Sequence, residues 1–396
     1  AIIGSGSTVT ADSLTLEAVM ATDTAKHRST ATTQSGAGGK DVGVAGSVSI
    51  NLFDADTTAD VGANTAVTLN GGDITLRAVS LTETKTEAKP ENEDGAAGSG
   101  TDVGVGASVA FDRSDAQTRA TLSDAVSVTG TGTNLTVSAS GQHDKTVDAE
   151  NGAKGKTGVG VSVGVALANN QTEARVGLGT GLTLTGSASI RADHRDTVTN
   201  KADAEAAGSD TGVGASVGVN VITGGAQAVL SRNLSAGGDV TVESTSATST
   251  TIDVKGSASG NSKDAKSADD EADTQVNANP NNGGQKDLPK AQEKVDQGNQ
   301  SADKESSTQG SKVSVGAAVG VNVVVADNTA RIGDGVTVNA GGDVKLRAID
   351  NTDATTKAIG SAINLDADTS VGAAVSLNVA VTHNRATVGA GASVTG

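Results

Sequence analysis

One alternating phrase recurs six times along this chain: VGVAGSVSIN (42–51), VGVGASVAFD (103–112), VGVSVGVALA (159–168), VGASVGVNVI (213–222), VSVGAAVGVNV (313–323) and VGAAVSLNVAV (371–381). Successive side chains of an extended strand point to opposite faces, so each copy has a β-branched face and a face of Gly, Ser and Ala. Strict alternation with few helix formers predicts strands, and its recurrence predicts a repeat architecture. The 396 residues include no Trp, no Tyr and only Phe53 and Phe111, so the aromatic share of an ordinary core is missing. Burying a valine is worth about 1.5–3 kcal/mol, whereas ordering one residue costs about 1–2 kcal/mol. Small aliphatic side chains must therefore stack densely.

A second phrase, Ala-x-aliphatic-Gly/Ser, marks the period. It begins at 1, 59, 120, 174, 228, 330 and 386, so its spacing is 54 to 61 residues except for one interval of 102. Inside each repeat the phrase leads to a turn, GGD in three copies (71–73, 237–239, 341–343), and then to a strand such as ITLRA (74–78) or VTVES (240–244). A polar stretch and a loop of variable length then lead to the Val/Gly strand. The long interval contains an insertion at 256–311, rich in Asp, Lys, Asn, Gln and Ser, which reads as largely disordered with a short helix at PKAQEKVDQ (289–297). The organisation expected is thus repeats over 1–255, the polar insertion 256–311, and repeats resuming over 312–396. All variable loops should leave one edge of the fold. AIIGSGSTVT at the start restates ATVGAGASVT at the end, so the chain is expected to be an in-phase piece of a longer array.

The fold expected is all-β, a parallel β-solenoid of six repeats of about 55 residues. A membrane β-barrel also alternates, but it needs aromatic girdles that this chain cannot supply. A repeat of that length predicts two rungs each, hence about twelve rungs and a body roughly 60 Å long. Val48, Val109, Val163, Val217, Val319 and Val375 occupy equivalent places and are expected in the core, so that Val319→Asp should cost several kcal/mol. The Gly/Ser face is then expected to be covered, by a neighbouring fibre or by the chain's own loops, because Gly within a strand marks close approach of another backbone.

Composition narrows the chemistry. There is no cysteine, which excludes disulfides, thiolate metal sites and a Cys nucleophile. A net charge of −17 disfavours nucleic acid and anionic membrane as partners. No apolar run is long enough to insert in a membrane as a helix. His27, His143, His194 and His383 stand at different offsets and read as scattered surface residues rather than a metal or catalytic group. The acidic stretches RADHRD (191–196) and FDADTTAD (53–60) lack the aromatic platforms of polysaccharide-cleaving enzymes. No catalytic, cofactor or metal site is therefore expected, beyond loose Ca²⁺ binding by acidic loops. GGD reads as a turn whose Asp caps backbone amides. Thr-x-Thr does not recur in register, against an ice-binding grid.

The stretches AGGDVTVES (236–244) and AGGDVKLRA (340–348), followed by VGASVGVNV and AVLS, resemble the repeats of filamentous haemagglutinin-like and leukotoxin-type filamentous adhesins of Gram-negative bacteria. The resemblance implies a right-handed parallel β-helix in a large secreted or surface-held protein. The expectation is a non-enzymatic structural or adhesive stalk, extracellular or on the bacterial surface. Its expected partners are copies of itself, neighbouring fibres, or host or bacterial surface ligands. The alternative is a segment of a secreted toxin or polysaccharide-acting β-helix.

Overall fold

The structure, a computed structural model, describes residues 1–22, 24–91, 98–130, 132–259, 312–364 and 367–396. It is all-β, with no helix among the described residues. The disorder and the short helix expected within 256–311 fall almost wholly outside the described residues. Every long strand pairs in parallel with its counterpart one repeat away. Val48 is the register partner of Val109, and the column continues through Val163, Val217, Val319 and Val375. The GGD strands form a second column set, in which Leu76, Val137, Ile190, Val242 and Leu346 align. Backbone hydrogen bonds thus run from repeat to repeat, which is the architecture of a parallel solenoid.

The number of rungs departs from expectation. Two rungs per repeat would pair a GGD strand with a Val/Gly strand, and no such ladder occurs among the described residues. Each repeat is one wide rung. The Val/Gly strands Val42–Val61, Val103–Leu122, Val313–Ile332 and Thr369–Val388 are 20 residues long, which is about 66 Å at 3.3 Å per residue. Six such strands stack over only about 24 Å at 4.8 Å per step. The repeat's length goes into width rather than height, because the alternating phrase is only the first half of each strand.

The faces are also inverted. Val48, Ile50 and Leu52 point to solvent, with 59–67% exposure, and Val375 is likewise exposed. Val109, Val163, Val217 and Val319 are only half-buried. The small residues point inward, against the GGD sheet of the same molecule. A Cβ on Gly106 would lie 2.3 Å from Asn151 Oδ1, on Gly160 2.5 Å from the Glu205 carbonyl, and on Gly214 2.0 Å from the Ser257 carbonyl. The Gly/Ser face is covered, as expected, but by the chain's own second sheet rather than by loops or a neighbouring fibre.

The cross-section is a wedge, and side-chain size follows it. Along Val103–Leu122 the inward residues run Gly104, Gly106, Ser108, Ala110, Asp112, Ser114, Ala116, Thr118, Ala120, Leu122. The sheets nearly touch at the glycine end and spread toward the leucine end. The strand ends that flank the variable segments, Ser35 and Val42, Pro90 and Val103, Ser259 and Val313, and Ile363 and Thr369, lie at the narrow edge. In the two central repeats the chain turns there without a loop, around Gly155 and Gly208, inside the continuous stretches Leu135–Val176 and Ala188–Leu230.

At the wide edge, short strands such as Ala66–Leu69, Leu182–Leu184, Leu234–Ala236 and Thr337–Ala340 close a three-sided aliphatic core. Val61, Leu122, Val176, Leu230 and Ile332 fill it from one sheet, and Ile74, Leu76, Val137, Ile190 and Val242 from the other. Arg232 is buried beside it and donates to the carbonyls of Gly177 (2.6 Å), Val126 (2.7 Å), Ser123 (3.0 Å) and Leu178 (3.0 Å). The GGD aspartates cap amides in the neighbouring rung. Asp73 Oδ1 accepts from the Asn134 amide at 3.0 Å, and Asp239 Oδ1 from the Asp343 amide at 2.9 Å.

Candidate functional site

Between the glycine edge and the aliphatic core runs a buried polar seam, and its composition changes from rung to rung. The inward position of Thr82 aligns with His143, Asp196, Thr248 and Thr352 in successive rungs. The position two residues earlier aligns Ser80, Gly141, His194, Ser246 and Asp350. Mostly small or hydroxyl-bearing columns therefore hold two imidazoles and a carboxylate in the two central rungs. His143, His194 and Asp196 are all buried, and one potential ligand atom from each lies within 4.8 Å of the others.

Each of these side chains is anchored by one polar atom. His143 Nδ1 lies 2.9 Å from Thr82 Oγ1, and His194 Nδ1 lies 3.0 Å from Thr172 Oγ1 on the facing sheet. Asn170 Nδ2 donates to Asp196 Oδ1 at 2.7 Å. The other atom of each, His143 Nε2, His194 Nε2 and Asp196 Oδ2, is buried with no hydrogen-bond partner. His194 Nε2 and Asp196 Oδ2 are 3.1 Å apart without hydrogen-bond alignment. Two glycines keep the neighbouring space open. A Cβ on Gly224 would sit 2.8 Å from Asp196 Oδ2 and 2.9 Å from His194 Nε2, and one on Gly141 would sit 2.9 Å from His143 Nε2.

A buried ion pair adjoins this group. Lys145 donates to Asp112 Oδ1 across the two sheets, and both are almost wholly buried. Asp112 also accepts from Thr86 at 2.8 Å, Asn51 at 3.1 Å and Thr84 at 3.2 Å. Burial pushes the Lys145 ammonium below its ordinary value, against the pull of Asp112. Burial pushes the Asp196 carboxyl up, but the two imidazoles and the Asn170 amide outweigh it and hold it below the usual range.

Burial pushes the His143 imidazole down to about 4. An unfolded histidine titrates near 6.5, so between these values the unfolded chain binds the extra proton. The contribution is present above pH 6.5 and is lost as pH falls to 4. In metal-free protein, parent and His143→Thr compared by chemical denaturation should differ in this window. The parent should lose on the order of 3 kcal/mol more than the variant. Parallel pH profiles would show that His143 does not titrate this way.

Sequence reasoning placed His143 and His194 on the surface, and the structure overturns this. Their offsets differ because they occupy neighbouring columns, and the 53-residue register between Leu135 and Ala188 brings His143 opposite Asp196. That register was the signal that could have found them. The paired acids of RADHRD do not combine, since Asp193 faces outward and Asp196 inward. His383 is a separate, partly exposed residue, 2.7 Å from Asp327.

A second feature lies on the outside. Val44, Gly46, Val48, Ile50 and Leu52 begin five outward columns that cross all six Val/Gly strands. Within those columns Arg113, which contacts Asp115 at 3.6 Å, is the only charged side chain. The face measures about 27 by 24 Å, or about 650 Å². Single patches on soluble monomers reach about 300–600 Å². The opposite outer face is charged and tied by ion pairs between rungs, such as Glu243 with Arg191, Lys345 and Arg347, and Lys89 with Asp148.

No family model matches the chain. Neither the curated proteins nor the solved structures contain a match.

Proposed function

We propose that this chain is a non-catalytic structural segment of a bacterial fibre, extracellular or held at the cell surface, whose units associate side by side. The observation that carries this reading is the aliphatic outer face of the Val/Gly sheet. A standard protein interface takes about 800 Å² from each partner, and this face with its margins approaches that area. It carries almost no charge in a chain of net charge −17, so two copies meeting there avoid the repulsion that their other surfaces impose. Two flat sheets packing face to face is an ordinary way to bury such side chains. The phrases that resemble filamentous haemagglutinin-like adhesins, together with the parallel repeat-to-repeat stacking, fit the same reading.

The test is Val319→Asp, measured by analytical ultracentrifugation and by melting. Val319 lies in the middle column of the face, on the fifth of its six strands, and is half-buried, so the cost of several kcal/mol expected of a core position no longer applies. The variant should keep its strand circular dichroism and stay within about 1 kcal/mol of the parent. Its self-association should weaken at least tenfold, because a contact between like faces brings carboxylates together. An equally associated variant would overturn lateral packing through this face. Binding of the parent to lipid vesicles in place of self-association would identify a different occupant and overturn it too.

A further inference from the structure

We propose that His143, His194 and Asp196 form a buried site for one divalent transition-metal ion of the zinc class, which joins the two central rungs. The argument starts from the lone pairs. Each Nδ1 is bonded to a threonine hydroxyl, and with Nδ1–H as donor each Nε2 presents a lone pair. This tautomer is assigned from the hydrogen bonding. Asp196 Oδ2 adds a third acceptor, and no donor meets any of the three. Three acceptors buried together without a donor repel one another and forfeit the hydration they had in the unfolded chain. A cation turns that arrangement into an attractive one.

The donor set and its support suit that class of ion. Two imidazole nitrogens and a carboxylate oxygen are ligands of Zn²⁺ and its neighbours, whereas Ca²⁺ and Mg²⁺ take oxygen donors. Metal-bound imidazoles characteristically give their other nitrogen to an oxygen that fixes the ring, which Thr82 and Thr172 do here. Asn170 holds the far oxygen of Asp196 in the same way. Gly141 and Gly224 withhold the two Cβ atoms that would fill the space beside the donor atoms. The equivalent positions in the adjoining rungs, Thr82, Thr248, Ser80 and Ser246, ligate no metal of this class. The site therefore belongs to one place in the array and not to the repeat. Its ligands come from two rungs and lie in a closed interior, so the ion enters as the rungs close on each other.

The experiment uses the full chain, purified without chelator and then unfolded and refolded with Zn²⁺ or with Co²⁺. The expected result is one ion per chain after gel filtration, with the visible absorption of low-coordinate Co²⁺. X-ray absorption of the Zn²⁺-loaded parent should show two imidazole ligands and oxygen, and it depends on no variant. His143→Thr and His194→Ser adopt residues that the same columns hold in adjoining rungs, so both should fold. Each should lower retained Zn²⁺ at least tenfold, while His383→Gln should retain it. A parent that keeps no metal after refolding, a ligand set without two imidazoles, or retention unchanged in both column variants would overturn the proposal.

Discussion

Gly214→Val is expected to destabilise the protein by at least about 3 kcal/mol, while Gly46→Val in the same sheet is expected to be neutral or stabilising. The two glycines belong to adjoining columns of the same alternating phrase, Gly46 in the first rung and Gly214 in the fourth, and occupy opposite faces. A Cβ on Gly214 would meet the Ser257 carbonyl oxygen at 2.0 Å and its carbon at 2.7 Å. These atoms are backbone of the facing sheet, so no rotamer change relieves the clash. The sheets would have to part along the whole narrow edge, where Gly106, Gly160, Gly316 and Gly372 share the column. A Cβ on Gly46 would meet only the Ala107 carbonyl, at 3.7 Å, which is ordinary contact. There the β-branched side chain joins an outward aliphatic row and removes the entropy cost of glycine in a strand. Denaturant midpoints of the two variants check this directly. Equal effects would mean that the glycine face is not the one packed inside.

The strands, their parallel stacking and even their columns were legible in the sequence. The six valines chosen as equivalent do fall in one register column. What misled the reading was the rule that the larger apolar face goes inside. That rule assumes a gap wide enough to fill, and in a wedge whose sheets touch at one edge the gap admits only hydrogen, a methyl or a hydroxyl. The aliphatic core sits at the other end of the same strands, where Leu122, Val176, Leu230 and Ile332 lie beyond the alternating phrase. The candidate metal group was hidden for a related reason. Counting each histidine from its own turn gives scattered offsets, whereas the repeat-to-repeat register sets His143 against Asp196.

The buried Asp112–Lys145 pair gives the other large effect. Lys145→Thr should leave the Asp112 carboxylate enclosed without its cation, at a cost of about 3–5 kcal/mol. Asp112→Asn should leave the ammonium enclosed, at a similar cost. The double variant is expected to recover to within about 1 kcal/mol of the parent, and the fold itself supplies the reason. The column of Asp112 holds Asn51, Asn220 and Asn322 in other rungs, and the column of Lys145 holds Thr84 and Thr250. Asn322 and Thr250 already bridge the two sheets as a neutral pair, with Asn322 Nδ2 donating to Thr250 Oγ1 at 2.7 Å. The double variant removes the two desolvated charges together and leaves position 112 facing Thr84, its same-rung partner and the counterpart of Thr250 opposite Asn322. A thermodynamic cycle of the four proteins should therefore show a coupling of at least about 3 kcal/mol. Additive losses would mean that each group is satisfied separately and that the pair does not tie the sheets together.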